Sequence, residues 1–269
     1  MGDGCWVLGL PAPTPSTQYP TPAVKLMLAA YIIAVIAAVW LGALWFLRKV
    51  WFYRDPLREP ESSDRNIVVA PADGRVVYVR QIRHGVVRAE KLGRNIPLPE
   101  ITGEATPEVD GWAIGIYMSP LDVHFNYCPH PGTVERIHRT TASLNLPMLD
   151  LWEYVQVVWL RRMVDMFARK YHLENERNTI FLDCGGLKMA VVLIADKFVS
   201  KIKCFVTEGQ KVGYSEKIGF IERGSQVDLV ILADNVEFTV GLNQQVHGGK
   251  TVIARLVDAE AGEGAMAAG

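Results

Sequence analysis

The longest hydrophobic run in the chain lies near its N-terminus and contains no charged residue. It covers residues 26–47, with the sequence LMLAAYIIAVIAAVWLGALWFL. Because an α-helix rises about 1.5 Å per residue, about 20 apolar residues cross a bilayer core, and the run predicts a transmembrane helix. A signal peptide has a shorter apolar core, about 7–15 residues, before a small-residue cleavage site. Here the run ends in Trp45 and passes to Arg48 and Trp51, which is typical of an interfacial anchor.

The charges around this run predict its orientation. Lys25 alone precedes it, whereas Arg48, Lys49, Arg54 and Arg58 follow it closely. Basic residues next to a membrane span favour the cytoplasmic side. We therefore expect the bulk of the chain to lie at the cytoplasmic face of the inner (cell) membrane.

After residue 66 the pattern changes to short apolar stretches rich in β-branched residues and separated by Gly, Pro and Asn. Such stretches predict β-strands, and their short spacing predicts a sandwich or barrel. The expected fold class is mainly β (α+β). The predicted strands are 67–70, 74–80, 112–118, 132–137, 179–184, 187–195, 201–206, 217–221, 226–232 and 251–256.

The same patterns divide the chain into segments. We expect a flexible N-terminus at 1–25, a proline-punctuated linker at 48–65, one β domain at 66–257 and a flexible tail at 258–269.

One stretch, residues 148–172, carries apolar residues at helical spacing, with Arg161, Arg162, Arg169 and Lys170 among them. Such an amphipathic helix could lie on an anionic membrane surface. It could equally pack on its own sheet, and the sequence leaves both alternatives open.

Composition excludes several classes of protein. The formal net charge of the 269 residues is −1, which gives no support for nucleic-acid binding. The four cysteines show no CxxC spacing, so they form neither a disulfide framework nor a zinc signature. We expect buried thiols in a reducing compartment.

Three short motifs contain candidate catalytic residues, although each is ordinary alone. Asp73 lies in a Pro-Ala-Asp-Gly turn, and His124 follows Asp122 on a segment that leaves a strand. Gly224-Ser225 joins two predicted strands. Taken singly, an Asp-Gly is usually a turn, and a lone histidine is usually structural or exposed.

Together the motifs resemble the phosphatidylserine decarboxylase family, in particular its short bacterial and archaeal-like branch. The resemblance extends over most of residues 50–256. It is carried, in order, by FYRDPLREP (52–60), PADGRVV (71–77), SPLDVHFNYCP (119–129), ENERN (174–178) and GFIERGSQVDLVIL (219–232).

The resemblance implies a self-cleaving proenzyme, cut between Gly224 and Ser225. Ser225 would attack the Gly224 carbonyl, and elimination and hydrolysis would convert Ser225 into a covalent pyruvoyl group. His124 would act as the base, with Asp73 orienting and supporting it. The pyruvoyl group would form a Schiff base with the serine headgroup of phosphatidylserine and withdraw electrons as carbon dioxide leaves. Neither pyridoxal phosphate nor a metal is implied.

Some positions depart from the family pattern or have no matching role. Some relatives carry a second histidine three positions after the first, where this chain has Tyr127. His130, His138 and His247 match no family role, and we expect surface or turn histidines there.

The resemblance also implies partners. These are a phospholipid substrate, the membrane, and two cleavage chains that stay associated. Whether the chain forms a homo-oligomer is left open, and no nucleic acid is expected. Another serine-linked lipid, such as archaetidylserine, is an alternative substrate. A second class is a non-catalytic, carrier-like β-sandwich adaptor at the membrane, because 208–221 and 240–254 resemble one another.

Overall fold

The computed structural model describes residues 22–89, 94–141, 151–154, 156, 175–196, 202–222 and 225–257. The chain forms two compact units, Met1–Arg48 and Lys49–Gly269.

The described part of the N-terminal unit is one apolar helix. Helix α1 covers Pro22–Phe46 and leads into a π-helical turn at Leu47–Trp51. It contains no buried residue, and its apolar side chains lie all around its axis, which suits a helix surrounded by lipid. The helix is long and apolar enough to cross a membrane, so the structure agrees with the helix predicted at 26–47.

The C-terminal unit is built from antiparallel strands. In chain order they are β1 (Ile67–Val69), β2 (Gly74–Arg83), β3 (Val86–Ala89), β4 (Arg94–Pro97), β5 (Gly111–Met118), β6 (Phe125–Tyr127), β7 (Gly132–Thr140), β8 (Arg177–Cys184), β9 (Leu187–Ala195), β10 (Ile202–Cys204), β11 (Lys211–Val212), β12 (Lys217–Ile221), β13 (Ser225–Leu232), β14 (Val236–Phe238), β15 (Gln245–Val246) and β16 (Val252–Leu256). Two short helices accompany them, α2 (Leu98–Thr102) and α3 (Leu151–Tyr154).

The strands form one large sheet and two small ones. The large sheet has ten strands in the order β11-β7-β8-β9-β13-β5-β2-β3-β4, with β15 paired to β2. The small sheets have the orders β1-β16-β14 and β10-β12-β6. Strand β13 is central, because it pairs with β5 along one side and with β9 along the other.

Both faces of the large sheet are buried at its centre. On one face Val191 and Leu193 pack with residues of the small sheets such as Ile218 and Ala254. On the other face Val192 and Ile194 belong to a second cluster, which also contains residues of α2 and the β2–β4 region: Leu98, Ile101, Ile82, Val87 and Ile96. The layers confirm a mainly β fold, and burial on both faces explains the continuous apolar sequence of β9.

The predicted strands are all present, with small differences at their ends. Strands β3, β4, β6, β11, β14 and β15 were not predicted. They are two to four residues long, which is too short to show an alternating pattern. Of the helix predicted at 148–172, Leu151–Tyr154 is helical, and nearly all of the remainder lies outside the described residues.

Candidate active site

The fold brings Ser225, at the start of β13, and the end of β12 beside the segment that carries His124. At the end of β12, the backbone N–H of Ile221 donates to the carbonyl oxygen of His124 over 3.2 Å. At the start of β13, Ser225 pairs with Met118 of β5 and with Ala195 of β9. Residues 118–124 therefore contact both ends of the connection that contains the junction. Arg223 and Gly224 lie outside the described residues, and Ser225 is described through its backbone.

His124 is completely buried, and the contacts of its ring define its tautomer. Nδ1 lies 2.9 Å from the backbone carbonyl oxygen of Asp122. Since a carbonyl oxygen only accepts, Nδ1 carries the proton and Nε2 keeps its lone pair. Nε2 is buried and has no hydrogen-bond partner among the described residues. The arrangement presents an unused base inside the protein.

Burial also keeps this imidazole neutral. Desolvation lowers the pKa of His124 from 6.5 to about 4, against a smaller opposing effect of the Asp122 carbonyl and carboxylate. At neutral pH the ring is therefore uncharged and able to accept a proton.

The lid over His124 comes from the segment just after the apolar helix. The Phe52 ring lies 4.1 Å from the imidazole, centroid to centroid, and Phe52 itself is buried. Trp51 Nε1 and an Arg54 guanidinium nitrogen both donate to the carbonyl oxygen of Leu121, over 3.2 and 2.5 Å. These residues belong to the predicted linker at 48–65, and part of that linker is thus packed against the β domain.

The turn before His124 is held by the Asp122 side chain. One carboxylate oxygen of Asp122 accepts from the backbone N–H and the hydroxyl of Ser119, over 2.8 and 2.7 Å. The other accepts from Gln245 Nε2 over 3.0 Å. Asp122 therefore fixes the backbone that carries the carbonyl partner of His124.

Asp73 is buried in a separate network. Its carboxylate accepts from Arg58 Nη2 over 2.9 and 2.8 Å and from the backbone N–H of Gly248 over 2.8 Å. His247 Nδ1 lies 3.6 Å from the same carboxylate. A mostly buried arginine side chain and a backbone N–H thus both donate to this carboxylate.

The structure does not place Asp73 as the hydrogen-bond partner of His124. The hydrogen-bond partner of Nδ1 is the Asp122 carbonyl oxygen, and the supporting role expected of Asp73 stays a prediction. The two sites are neighbours: Asp73, Arg58 and His247 line an open cleft of about 490 Å³ together with Val123, which precedes His124.

Phe52, Arg58 and His247 were not predicted as site residues. His247 was expected to be a surface or turn histidine, and it is half-exposed but directed toward Asp73. Arg58 is 15 residues from Asp73 in sequence. The only sequence signal was that Phe52 and Arg58 fall within the motif at 52–60.

Comparisons with known proteins identify the family of the chain. Residues 45–254 match the family described as phosphatidylserine decarboxylase. A phosphatidylserine decarboxylase proenzyme of Gluconacetobacter diazotrophicus is 33% identical, over 88% of this chain and 94% of the relative. One from Magnetococcus marinus is 30% identical, over 88% and 93%.

An archaeal relative also matches. A protein of Methanocaldococcus jannaschii, named provisionally as an archaetidylserine decarboxylase proenzyme, is 31% identical over 76% of this chain and 88% of its own length. Since the family match spans most of the sequence and includes the His124 segment and the Gly224-Ser225 junction, the protein belongs to the phosphatidylserine decarboxylase family and is a decarboxylase.

Proposed function

We propose that the chain cleaves itself between Gly224 and Ser225 and then converts phosphatidylserine to phosphatidylethanolamine at the cytoplasmic face of the cell membrane. The observation that carries the proposal is the buried, neutral His124 with an unused Nε2. It lies on the segment that contacts both ends of the 221–225 connection.

Self-cleavage requires a base for the Ser225 hydroxyl, because a neutral hydroxyl is a poor nucleophile. Nε2 of His124 takes that proton. The Ser225 oxygen bonds to the Gly224 carbonyl carbon, and the C–N bond between the two residues breaks, which leaves an ester and a free amino group. A base removes the α proton of residue 225 as the Gly224 carboxylate leaves, which gives a dehydroalanine, and water converts that group to a pyruvoyl group and ammonia.

Asp73 supports the charge that develops on His124. Its carboxylate accepts hydrogen bonds from Arg58 and Gly248 and lines the same cleft as Val123. Among the described contacts no hydrogen bond joins Asp73 to the imidazole, so its support would act through space.

The residues around the junction fit a pyruvoyl group at position 225. Two buried acceptor atoms without a hydrogen-bond partner among the described residues, Nε2 of His124 and Oδ1 of Asn126, can accept from the amino group of the substrate that condenses with it. Asn126 Nδ2 contacts the sulfur of Met118 over 3.7 Å, and Met118 pairs with Ser225. The pyruvoyl group supplies the electron sink for decarboxylation.

His124 also returns a proton to the substrate carbon that has lost carbon dioxide. Because burial disfavours the imidazolium, a protonated His124 gives its proton up readily. The base role rests on the unpaired Nε2 lone pair and on the position of His124 beside Ser225, and the acid role on the low pKa.

Association with the membrane follows from the apolar helix and its flanking charges. Arg48, Lys49, Arg54 and Arg58 follow the apolar run at 26–47, and Lys25 is the only basic residue before that run, which supports a cytoplasmic position of the β domain. The anchor keeps the decarboxylase next to a substrate that itself resides in the bilayer.

The test is conversion of lipid by the purified full chain in detergent micelles, followed by mass spectrometry. Phosphatidylserine should yield phosphatidylethanolamine with the wild-type chain and none with Ser225→Ala. Conversion of archaetidylserine alone would show that the substrate is the archaeal lipid. Absence of conversion of either lipid by a folded, cleaved chain would contradict the proposed activity.

A further inference from the structure

The outer face of the sheet β10-β12-β6 carries a row of aromatic and basic side chains. Lys203 pairs with Phe220, and Phe220 pairs with Phe125. Residues directly opposite one another in neighbouring strands project from the same face. These three side chains therefore form one row across the small sheet.

Further aromatic residues extend this row into solvent. Phe205, just after β10, lies 6.2 Å from Phe125 between ring centroids, and Phe125 lies 4.9 Å from Phe220. Tyr53 stacks on Phe220 at 5.7 Å and 15°. Phe205, Tyr53, Trp51 and Leu121 are all exposed. We call the surface formed by Trp51, Tyr53, Phe125, Phe205 and Phe220, together with the neighbouring Leu121, the aromatic face.

Cations lie over the rings of this face. Lys217 Nζ is 4.9 Å from the Phe125 ring centroid, Lys203 Nζ is 5.6 Å from that of Phe220, and the Arg54 guanidinium is 4.4 Å from that of Trp51. Asp55 and Glu222 pair with the two lysines. The face thus combines apolar rings with a balanced polar rim, a composition suited to the headgroup boundary of a bilayer.

The position of this face in the chain, directly after the apolar helix, indicates that a lipid bilayer is what it contacts. Trp51 ends the segment that begins with the apolar helix, and Pro22–Trp51 is long and apolar enough to cross a membrane. Trp51 and Tyr53 are therefore within a few residues of the lipid headgroups whenever the helix spans a bilayer. Exposed aromatic clusters of this kind mark interaction sites on otherwise soluble domains.

We propose that the aromatic face docks on the lipid headgroup layer, with Tyr53, Phe125 and Phe205 entering the boundary between headgroups and acyl chains. Strand β6 directly follows His124, and β12 leads into the Gly224-Ser225 connection. Docking therefore brings the strands that flank the active site to the lipid surface, so that a headgroup reaches the site without leaving the bilayer. The inference concerns this surface and does not depend on self-cleavage.

The experiment measures lipid contact at two matched positions of the full chain. Phe205 is 45% exposed and Val109 is 40% exposed. Val109 lies beyond the Gly111 end of β5, at the opposite end from Met118, so roughly 24 Å of strand separates that end from the site. Each position is changed to cysteine and labelled with the fluorophore NBD.

The background carries Cys5→Ser and Cys204→Ser, because Cys204 is exposed and would react. Cys128 and Cys184 stay, since burial raises the pKa of each thiol to about 12 and keeps it unreactive. The labelled chains are placed in nanodiscs of phosphatidylcholine and phosphatidylglycerol, with or without lipids that carry a doxyl group at the fifth acyl carbon.

We expect doxyl lipids to lower the NBD emission at position 205 by at least about twofold, with little change at position 109. Equal quenching at the two positions, or none at 205, would overturn the proposal. Shielding at 205 that rises with protein concentration in detergent, without doxyl quenching, would instead indicate a second copy of the chain. Leu121→Cys serves as a second reporter if the 205 variant lacks the parent's thermal unfolding transition.

Discussion

At the scale of single residues, the central feature is a histidine made neutral by its surroundings. The ring of His124 is covered by Phe52, and Nδ1 is committed to a backbone carbonyl. The lone pair of Nε2 is therefore available at every pH above the lowered pKa of the ring. Environment, more than residue type, makes this histidine a base.

The pKa of His124 predicts the pH dependence of self-cleavage. Since the pKa is lowered to about 4, the imidazole stays neutral from about pH 8 down to about pH 5, and the cleavage rate should be flat there and fall only toward pH 4. Newly synthesised chain, transferred to buffers of different pH and followed on denaturing gels, reports the rate. A rate that drops through pH 6.5 would show a solvated histidine instead.

His124→Asn should slow cleavage by about a hundredfold or more, because the removed group is the general base. His130→Asn is the matched control, since that histidine binds the carbonyl oxygens of Pro131 and Arg65. Equal cleavage rates in the two variants would remove His124 from the mechanism.

The Arg58–Asp73 pair predicts a large loss of stability when it is broken. Arg58→Ala leaves a buried carboxylate without its charged partner and should lower the free energy of unfolding by about 3 kcal/mol. Arg255→Ala removes an exposed pair with Asp64 and should cost less than about 1 kcal/mol. Denaturant unfolding in a Ser225→Ala background, where every chain is intact, measures both losses. Similar losses in the two variants would contradict the larger stabilisation assigned to the Arg58–Asp73 pair.

The sequence motifs predicted some candidate site residues, but they did not predict the residues that join the candidate site only through tertiary contacts. Asp73, His124 and Gly224-Ser225 stand out as a set, although none does alone. Arg58 and His247 are ordinary in sequence, and only folding brings them to Asp73. The orienting partner of His124 is a backbone carbonyl, which no residue type reveals.

At the scale of elements, the segment 51–58 acts as a strap that joins the anchor region to the site. Phe52 packs on His124, and Arg58 pairs with Asp73. Pro56 lies within this segment and does not prevent it from packing against the β domain. Long strands such as β9 were predictable from their apolar pattern, whereas β3 and β4, with four residues each, are too short to be recognised.

The close approach at Gly248 predicts a sensitivity to any side chain there. A Cβ atom would lie 2.8 Å from Cδ2 of Tyr127 and 2.9 Å from the backbone carbon of Ala72. Gly248→Ala should therefore displace the N–H that binds Asp73, slow cleavage and lower the free energy of unfolding by about 1–3 kcal/mol.

Gly241→Ala is the control for this change, because its added methyl meets no atom within 4 Å. It should change the free energy of unfolding by less than about 0.5 kcal/mol. Denaturant unfolding and gel assays compare the two. If Gly248→Ala behaves like Gly241→Ala, the Gly248 contact with Asp73 is dispensable.

At the scale of the whole molecule, cleavage before β13 would divide the sheets without separating them. Strand β13 lies between β5 and β9, and β16 lies between β1 and β14. The segment after residue 224 therefore hydrogen-bonds to strands of the longer segment on both sides of β13. Backbone ladders of this length and their buried side chains hold the two products together.

We accordingly predict that the two products co-elute as one species in detergent and separate only under denaturing conditions. Size-exclusion chromatography followed by denaturing gels tests this. Loss of the short chain from the eluted peak would contradict the interlocked sheet.

Intact-mass spectrometry of the purified, detergent-solubilised protein tests the central claim most directly. The account predicts two chains, one ending at Gly224 and one beginning at position 225, the shorter being lighter than its plain peptide by one ammonia. Ser225→Ala should give a single intact chain. A single uncleaved chain from a folded wild-type preparation with bound lipid would contradict self-processing and the pyruvoyl chemistry that depends on it.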